Sequence, residues 1–464
     1  MKTNSLIKAE FDRAWKEWIH GHDTEAAEIW YSILRKYPES ENDQISIDAV
    51  NYLAMYERIW EGRIETEIDI IKNRKNSEII NYSKGAADSL IEIALRSKSQ
   101  EDALNEFQAA REIYERLNDK EGLIKLNYQY GMYLVNRGIG KFGQIFNKFQ
   151  VALQNAIETN RKYYKAQIHH GIGEAFLRLE NIEEASHHFD IASQIYHYLN
   201  NERKILEVLV SRADVESQNQ QTTSSEKLVT LYDEFTSRKE KIKDKVPKSA
   251  LFSHLSRFCD LFLDFEDYKH INTLVAELDA ILRQTNINSS LYFQGKMSLA
   301  LIKGNIQLKM LNFTNAEDLY NYILRRRGEA KITDLYGALI SLAIISLYKY
   351  RIFFDTVHLS EAQSLIQDAM KISETTDHVR GFLRASVVNV MLKISVGDLD
   401  EIDEMERIIK SAQEKGLVTE ARRAQKEITR LKRMIRTQDK SDDRSVEKIL
   451  KYALEAKRLV WKNQ

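Results

Sequence analysis

Two prolines, Pro38 and Pro247, and 17 glycines are nearly all the helix breakers that this chain of 464 residues contains. Leu, Ile, Ala, Glu and Lys are abundant instead, so the composition predicts an almost entirely helical protein. The single cysteine, Cys259, excludes an internal disulfide and fits a reducing, cytoplasmic setting. No excess of one charge exists: 68 basic against 69 acidic residues leave a net charge of −1. That balance gives no whole-chain argument for nucleic acid or an anionic membrane as partner. The start, MKTNSLIKAEFDRAWKEW, lacks the apolar core of a signal peptide. The most apolar stretch, YGALISLAIISLY at 336–348, is 13 residues long. It falls short of the roughly 20 that span a bilayer and is expected to be a buried helix.

Catalytic motifs are also missing. The sequence holds no phosphate-binding Gly-rich loop, no HExxH and no CxxC. Gly138, Gly140 and Gly143 follow a helical pattern rather than a strand, which argues against a phosphate cradle. The expectation is a chain that is not an enzyme, with no catalytic residue, cofactor or metal ligand.

What is present is a repeat. From Gly173, Phe176 follows at +3, Ala185 at +12, Phe189 at +16 and Ala192 at +19. The first step lies on one helix; the last three, spaced by four and three, form one face of a second. The same spacing gives Ile91, Ala94, Ala103, Phe107 and Ala110, and again Cys259, Phe262, Ile271, Val275 and Leu278. It also fits Gly304, Gln307, Ala316, Tyr320 and Ile323, and Trp15, Trp18, Ala27, Tyr31 and Leu34. Two copies match directly: AREIYERLND at 110–119 and ASQIYHYLNN at 192–201.

These small-then-aromatic residues and the Ala–aromatic–Ala comb resemble the tetratricopeptide repeat family, most clearly over 84–200. The resemblance implies an all-α, right-handed superhelical solenoid of antiparallel helix pairs, about ten of them, with units of about 34–42 residues. Small residues let helix axes approach to about 8 Å and aromatics fill the remaining gap. The family's proline after the second helix is matched only by Pro38.

Four regions are expected. Residues 1–216 carry N-terminal repeats, 217–248 a polar and charged loop or hinge, 249–415 C-terminal repeats, and 416–464 basic capping helices. Two separate arrays and one continuous solenoid with a long loop both fit. The last region, from Lys415 to Gln464, has 15 Lys/Arg against 7 Asp/Glu.

Five of the eleven histidines fall between His169 and His197. A metal needs three or four converging ligands. The repeat is expected to send His169–His170 and His187–His188 to different faces, so no metal site is expected. By resemblance, the first-helix line Gln167, His170, Glu174 and Arg178 faces a concave groove that binds a protein or peptide partner. The favoured function is therefore a scaffold. The alternative is a repeat-type sensor whose basic helices, through Arg422, Arg423, Lys426, Arg430 and Arg433, contact nucleic acid or an acidic partner.

Overall fold

An apolar residue every three or four positions, with almost no breakers between, leaves each segment one stable option: a helix that buries a stripe against its neighbour. In a computed structural model the described residues are 2–36, 43–61, 69–97, 99–137, 142–179, 181–218, 225–287, 289–353, 355–375, 379–395, 401–414, and 421–429 without 423, 426 and 427. Among them are twenty α-helices and no strand. The chain divides into two compact units, one running through Phe258 and one from Cys259 onward, apart from short exchanged segments at 137–141 and 288–291.

The N-terminal unit contains α1 (Lys2–Ile19), α2 (Asp23–Lys36), α3 (Gln44–Tyr56), α4 (Ile70–Ile79), α5 (Ser83–Arg96) and α6 (Gln100–Leu117). It continues with α7 (Lys120–Arg137), α8 (Phe142–Glu158), α9 (Lys162–Arg178), α10 (Ile182–Tyr198), α11 (Glu202–Gln218) and α12 (Glu226–Ile242). The division falls inside α13 (Lys248–Asp264). The C-terminal unit holds α14 (Tyr268–Arg283), α15 (Ser290–Lys309), α16 (Phe313–Arg325), α17 (Ile332–Phe353), α18 (Thr356–Thr375), α19 (Val379–Ser395) and α20 (Glu401–Glu414). Odd-numbered helices are the first of each pair.

The repeat spacing is the packing code. On α6 the buried set is Ala103, Phe107, Ala110 and Tyr114; on α10 it is Ala185, Phe189, Ala192 and Tyr196. A Cβ added at Gly173 would lie 2.5 Å from the Phe189 ring, and one at Gly304 would lie 2.6 Å from the Tyr320 ring. Each ring therefore fills the volume a side chain would need, and burying it contributes about 1.5–3 kcal/mol.

Helix stops repeat as well. Asn81, Asn118, Asn160 and Asn200 have φ of 57°, 50°, 53° and 54° and end the second helices α4, α6, α8 and α10. Asparagine tolerates this left-handed conformation better than most residues. The next amide then bonds back into the helix, as Asp119 N–H does to the Tyr114 carbonyl at 2.9 Å and Asn201 N–H to Tyr196 at 3.0 Å.

Four expectations are corrected. In the first pair the fully buried residues are Ala14, Ala26, Trp30 and Ile33, one position before the predicted Trp15, Ala27, Tyr31 and Leu34. The small Ala14 meets the close-approach requirement that Trp15 cannot. On α14, Leu274 rather than Val275 joins Ile271 and Leu278 in the core. Within the segment predicted as loop or hinge, Glu226–Ile242 is helical, because Leu228, Tyr232, Phe235, Lys239 and Ile242 make a buried four–three stripe on a charged helix. Finally, the apolar stretch is longer than expected: Ile332–Tyr350 on α17 is long and apolar enough to cross a membrane by length and composition, while its expected burial holds, with 72% of that window buried in the unit. Its apolar faces serve two clusters, Ala338, Leu342 and Ile345 against α15 and α16, and Leu339, Ala343 and Ile344 against α18 and α19.

Candidate binding groove

First helices carry residues that the packing stripe does not use, and in the N-terminal unit these converge. Trp15 and Trp18 of α1, Asn51, Tyr52 and Met55 of α3, and Asp88, Ile91 and Glu92 of α5 line one cavity. Lys125, Tyr128 and Gln129 of α7 and Tyr163, Tyr164 and Gln167 of α9 complete it. The space is about 70 Å³. A water needs roughly 10–15 Å³ on this kind of measure, so the room suits a side chain.

The cavity exists because α1 returns to meet α9 and α11. The Trp15 ring centroid lies 5.1 Å from that of Tyr52 and 6.4 Å from those of Tyr163 and Tyr164. At the end of α1, Asn201 donates its side-chain amide to the Ile19 carbonyl at 2.7 Å and caps Lys204 N–H at 2.8 Å. Gly21 has φ +81°, and a Cβ there would stand 2.5 Å from Asn201 Oδ1, so both backbone and space call for glycine. Beside it Arg203 Nε meets Asp23 at 2.8 Å with the two side chains 1% and 0% exposed. Glu207 also pairs with Arg203, so two carboxylates share the guanidinium; breaking one buried contact of this kind costs about 3 kcal/mol.

Charges on the cavity wall are matched internally. Lys125 Nζ donates to Tyr52 Oη at 3.0 Å and lies 3.4 Å from Asp88, which also accepts from Tyr114 at 2.8 Å. Burial opposes the Lys125 charge, but Asp88 and the surrounding phenols outweigh it, and its pKa stands above the usual lysine range. Burial pushes the Tyr52 phenol up to about 12. Nearby Asp48 is raised to about 7 by burial and then by Asp88, with Tyr82 donating to it at 3.0 Å. A π-helical turn, Glu57–Glu61, ends α3 and aims Arg58 at Glu92, with contacts of 2.8 and 3.1 Å.

Of the predicted groove line, Gln167 lines the cavity and donates to Tyr163 Oη at 3.2 Å. His170 and Glu174 are drawn to α11 instead. Ser211 donates its hydroxyl proton to Glu174 at 2.6 Å, so its oxygen accepts from His170 Nε2 at 2.9 Å. Burial holds the His170 pKa below the ordinary value. Arg178 is half-buried at the end of α9, near enough to Asp214 to act on its carboxyl, which Arg257 also holds at 2.7 Å. Trp15, Tyr52, Asp88, Lys125, Tyr163 and Tyr164 were missed by the sequence reading. Their signal was aromatic or charged residues on first helices off the packing stripe.

The histidine pairs do not diverge as expected. His169 Nδ1 lies 3.0 Å from His188 Nδ1, and His188 stacks on Phe176 with centroids 5.6 Å apart. Adjacent helices α9 and α10 bring the two rings together across their interface. Burial and the neighbouring His188 lower the His169 pKa to about 4. Cys259 is buried, and burial pushes its thiol up. In the proposed basic surface, Arg422 is helical and exposed; Arg423, Lys426, Arg430 and Arg433, with most of 416–464, lie outside the described residues.

No family model matches the sequence, and no curated protein matches it. Among solved structures, the chain is similar to a crystal structure of a Rap protein complexed with competence and sporulation factor. The TM-score is 0.47 at 12% identity, covering 89% of this chain and 99% of that one. A likeness at that level carries neither fold nor function across; the helix-pair architecture rests on this chain's own packing.

Proposed function

We propose that this chain is a non-enzymatic interaction scaffold whose N-terminal unit holds a peptide or partner helix along its first helices. The observation that carries the reading is the origin of the cavity walls: five successive first helices, α1, α3, α5, α7 and α9, and no second helix. Second-helix side chains such as Phe107 and Phe189 are consumed by packing, which leaves the first-helix face to meet a ligand. Reactive candidates are otherwise engaged, with Cys259 buried and His170 tied to Ser211.

The test is to pan the full chain against a display library of linear random peptides. Selected peptides are then measured by isothermal titration against the parent and against Tyr164→Ala. Binders that lose at least tenfold in affinity on Tyr164→Ala support the scaffold. A library yielding no binder sensitive to the first-helix face would sink it.

A further inference from the structure

The charges around the cavity are already spent on one another. Asp88 accepts from Lys125 and Tyr114, and Glu92 takes both bonds from Arg58. The Asp88, Glu92 and Lys125 side chains are only 12%, 6% and 15% exposed, so little solvent is left to screen them. An incoming charged group would lose its hydration and find no unmatched counter-ion. The remaining wall is largely aromatic and apolar, with Trp15 against Tyr52 and Tyr164, and its Asn51 and Gln167 donate to Gly85 and Tyr163. Gln129 also lines this space and, like Tyr128 and Tyr164, has no hydrogen-bond partner among the described residues.

We infer that this cavity is a specificity pocket for one uncharged aromatic or branched aliphatic side chain of a bound peptide, with Gln129 available to the adjoining backbone. The inference rests on the scaffold reading above and adds what the ligand must carry. Shape supports it: about 70 Å³ of space, walled largely by rings and open on one side, gives a peptide side chain room to enter. Lys125 is the residue that makes the pocket reject cations, because its ammonium already satisfies Asp88 and lies 5.0 Å from the Tyr52 ring centre.

The experiment uses the full chain and the peptides selected above, with the candidate anchor residue replaced in turn by Ala, Lys and Glu. The expected result is a shared Trp, Tyr, Phe, Leu or Ile anchor whose replacement by Lys or Glu weakens binding at least tenfold. Met55→Trp, which fills the cavity, should weaken the parent peptide by a similar factor. Lys125→Met should shift preference toward the Lys-substituted peptide by at least tenfold, since Asp88 then lacks its cation. Circular dichroism confirms that each variant is folded. Peptides that bind through Tyr164 but share a charged anchor, or that ignore Met55→Trp, would overturn the pocket while leaving the scaffold standing. A library with no binder at all would overturn both.

Discussion

α9 and α17 are both first helices, yet they bury opposite chemistries. α17 presents Leu, Ile and Ala to helices on two sides, with clusters formed by Leu339, Ala343 and Ile344 on one and Ala338, Leu342 and Ile345 on the other. α9 buries Ala166, Ile168 and Gly173 in its pair but offers Tyr163, Tyr164, Gln167, His170 and Glu174 to other first helices. A first helix packed on two sides, as α17 is, becomes largely apolar, with Asp334, Ser341 and Ser346 its buried polar residues. One that borders a groove keeps polar groups, and each of these needs a partner once it is buried.

The sharpest break of that contrast is at the buried ion pair. Asp23→Ala should cost about 3 kcal/mol of stability, because the buried Arg203 then keeps Glu207 as its one remaining counter-ion among the described residues. Thermal unfolding followed by tryptophan fluorescence reads it, since Trp18 lies beside Arg203 with 5.6 Å from the guanidinium to the ring centre. The double change Asp23→Leu with Arg203→Met should recover part of the loss, since Glu207 keeps Lys204 as its cation. Failure to recover would mean that the pair has a role beyond matching charge.

The next comparison concerns what the two units share. Gly173→Val and Gly304→Val should each cost at least about 1–3 kcal/mol, because Phe189 and Tyr320 occupy the volume of the new side chain. Similar losses by chemical denaturation would confirm one packing rule for both units. A neutral Gly304→Val would confine the rule to the N-terminal unit.

Acid sensitivity belongs to the polar side of the contrast. His169 and His254, lowered from 6.5 to about 4 chiefly by burial, contribute stability above pH 6.5 that is lost as pH falls toward 4. Asp48, raised from 3.8 to about 7, acts with the opposite sign: its contribution is present below pH 3.8 and is lost as pH rises through 7. The two effects oppose each other between pH 4 and 6.5. Asp48→Asn should therefore steepen the fall in Tm on acidification across that range. A profile parallel to the parent's would remove Asp48 from the account.

The smallest effect distinguishes the turns. Asn118→Ala should destabilise by about 1 kcal/mol, since alanine lacks asparagine's tolerance of φ 50°. In the C-terminal unit Leu311 has φ 58° with its side chain exposed, so Leu311→Gly should stabilise by about 1 kcal/mol. Differential scanning calorimetry should show these opposite shifts in Tm.

Legibility followed the range of the interaction. The Ala185–Phe189–Ala192 comb and the matched segments that carry Asn118 and Asn200 were readable because each helix pair is a local contact with a fixed spacing. The first pair was read one residue late. Ala14–Trp30 and Trp15–Tyr31 satisfy the same spacing, and only the size of the first residue separates them. The helix at 226–242 was hidden because its charged residues outnumber a thin buried stripe.

Composition and periodicity alone established helices, their pairing and the residues packed inside each pair, since helix propensity and the four–three stripe act within a few dozen residues. Tertiary structure decided the groove. Trp15 against Tyr164, Asp23 against Arg203 and Lys125 against Tyr52 are joined by the return of α1 onto α9 and α11 and by the stacking of first helices. That closure sums small rotations over several pairs, and no local spacing encodes the sum.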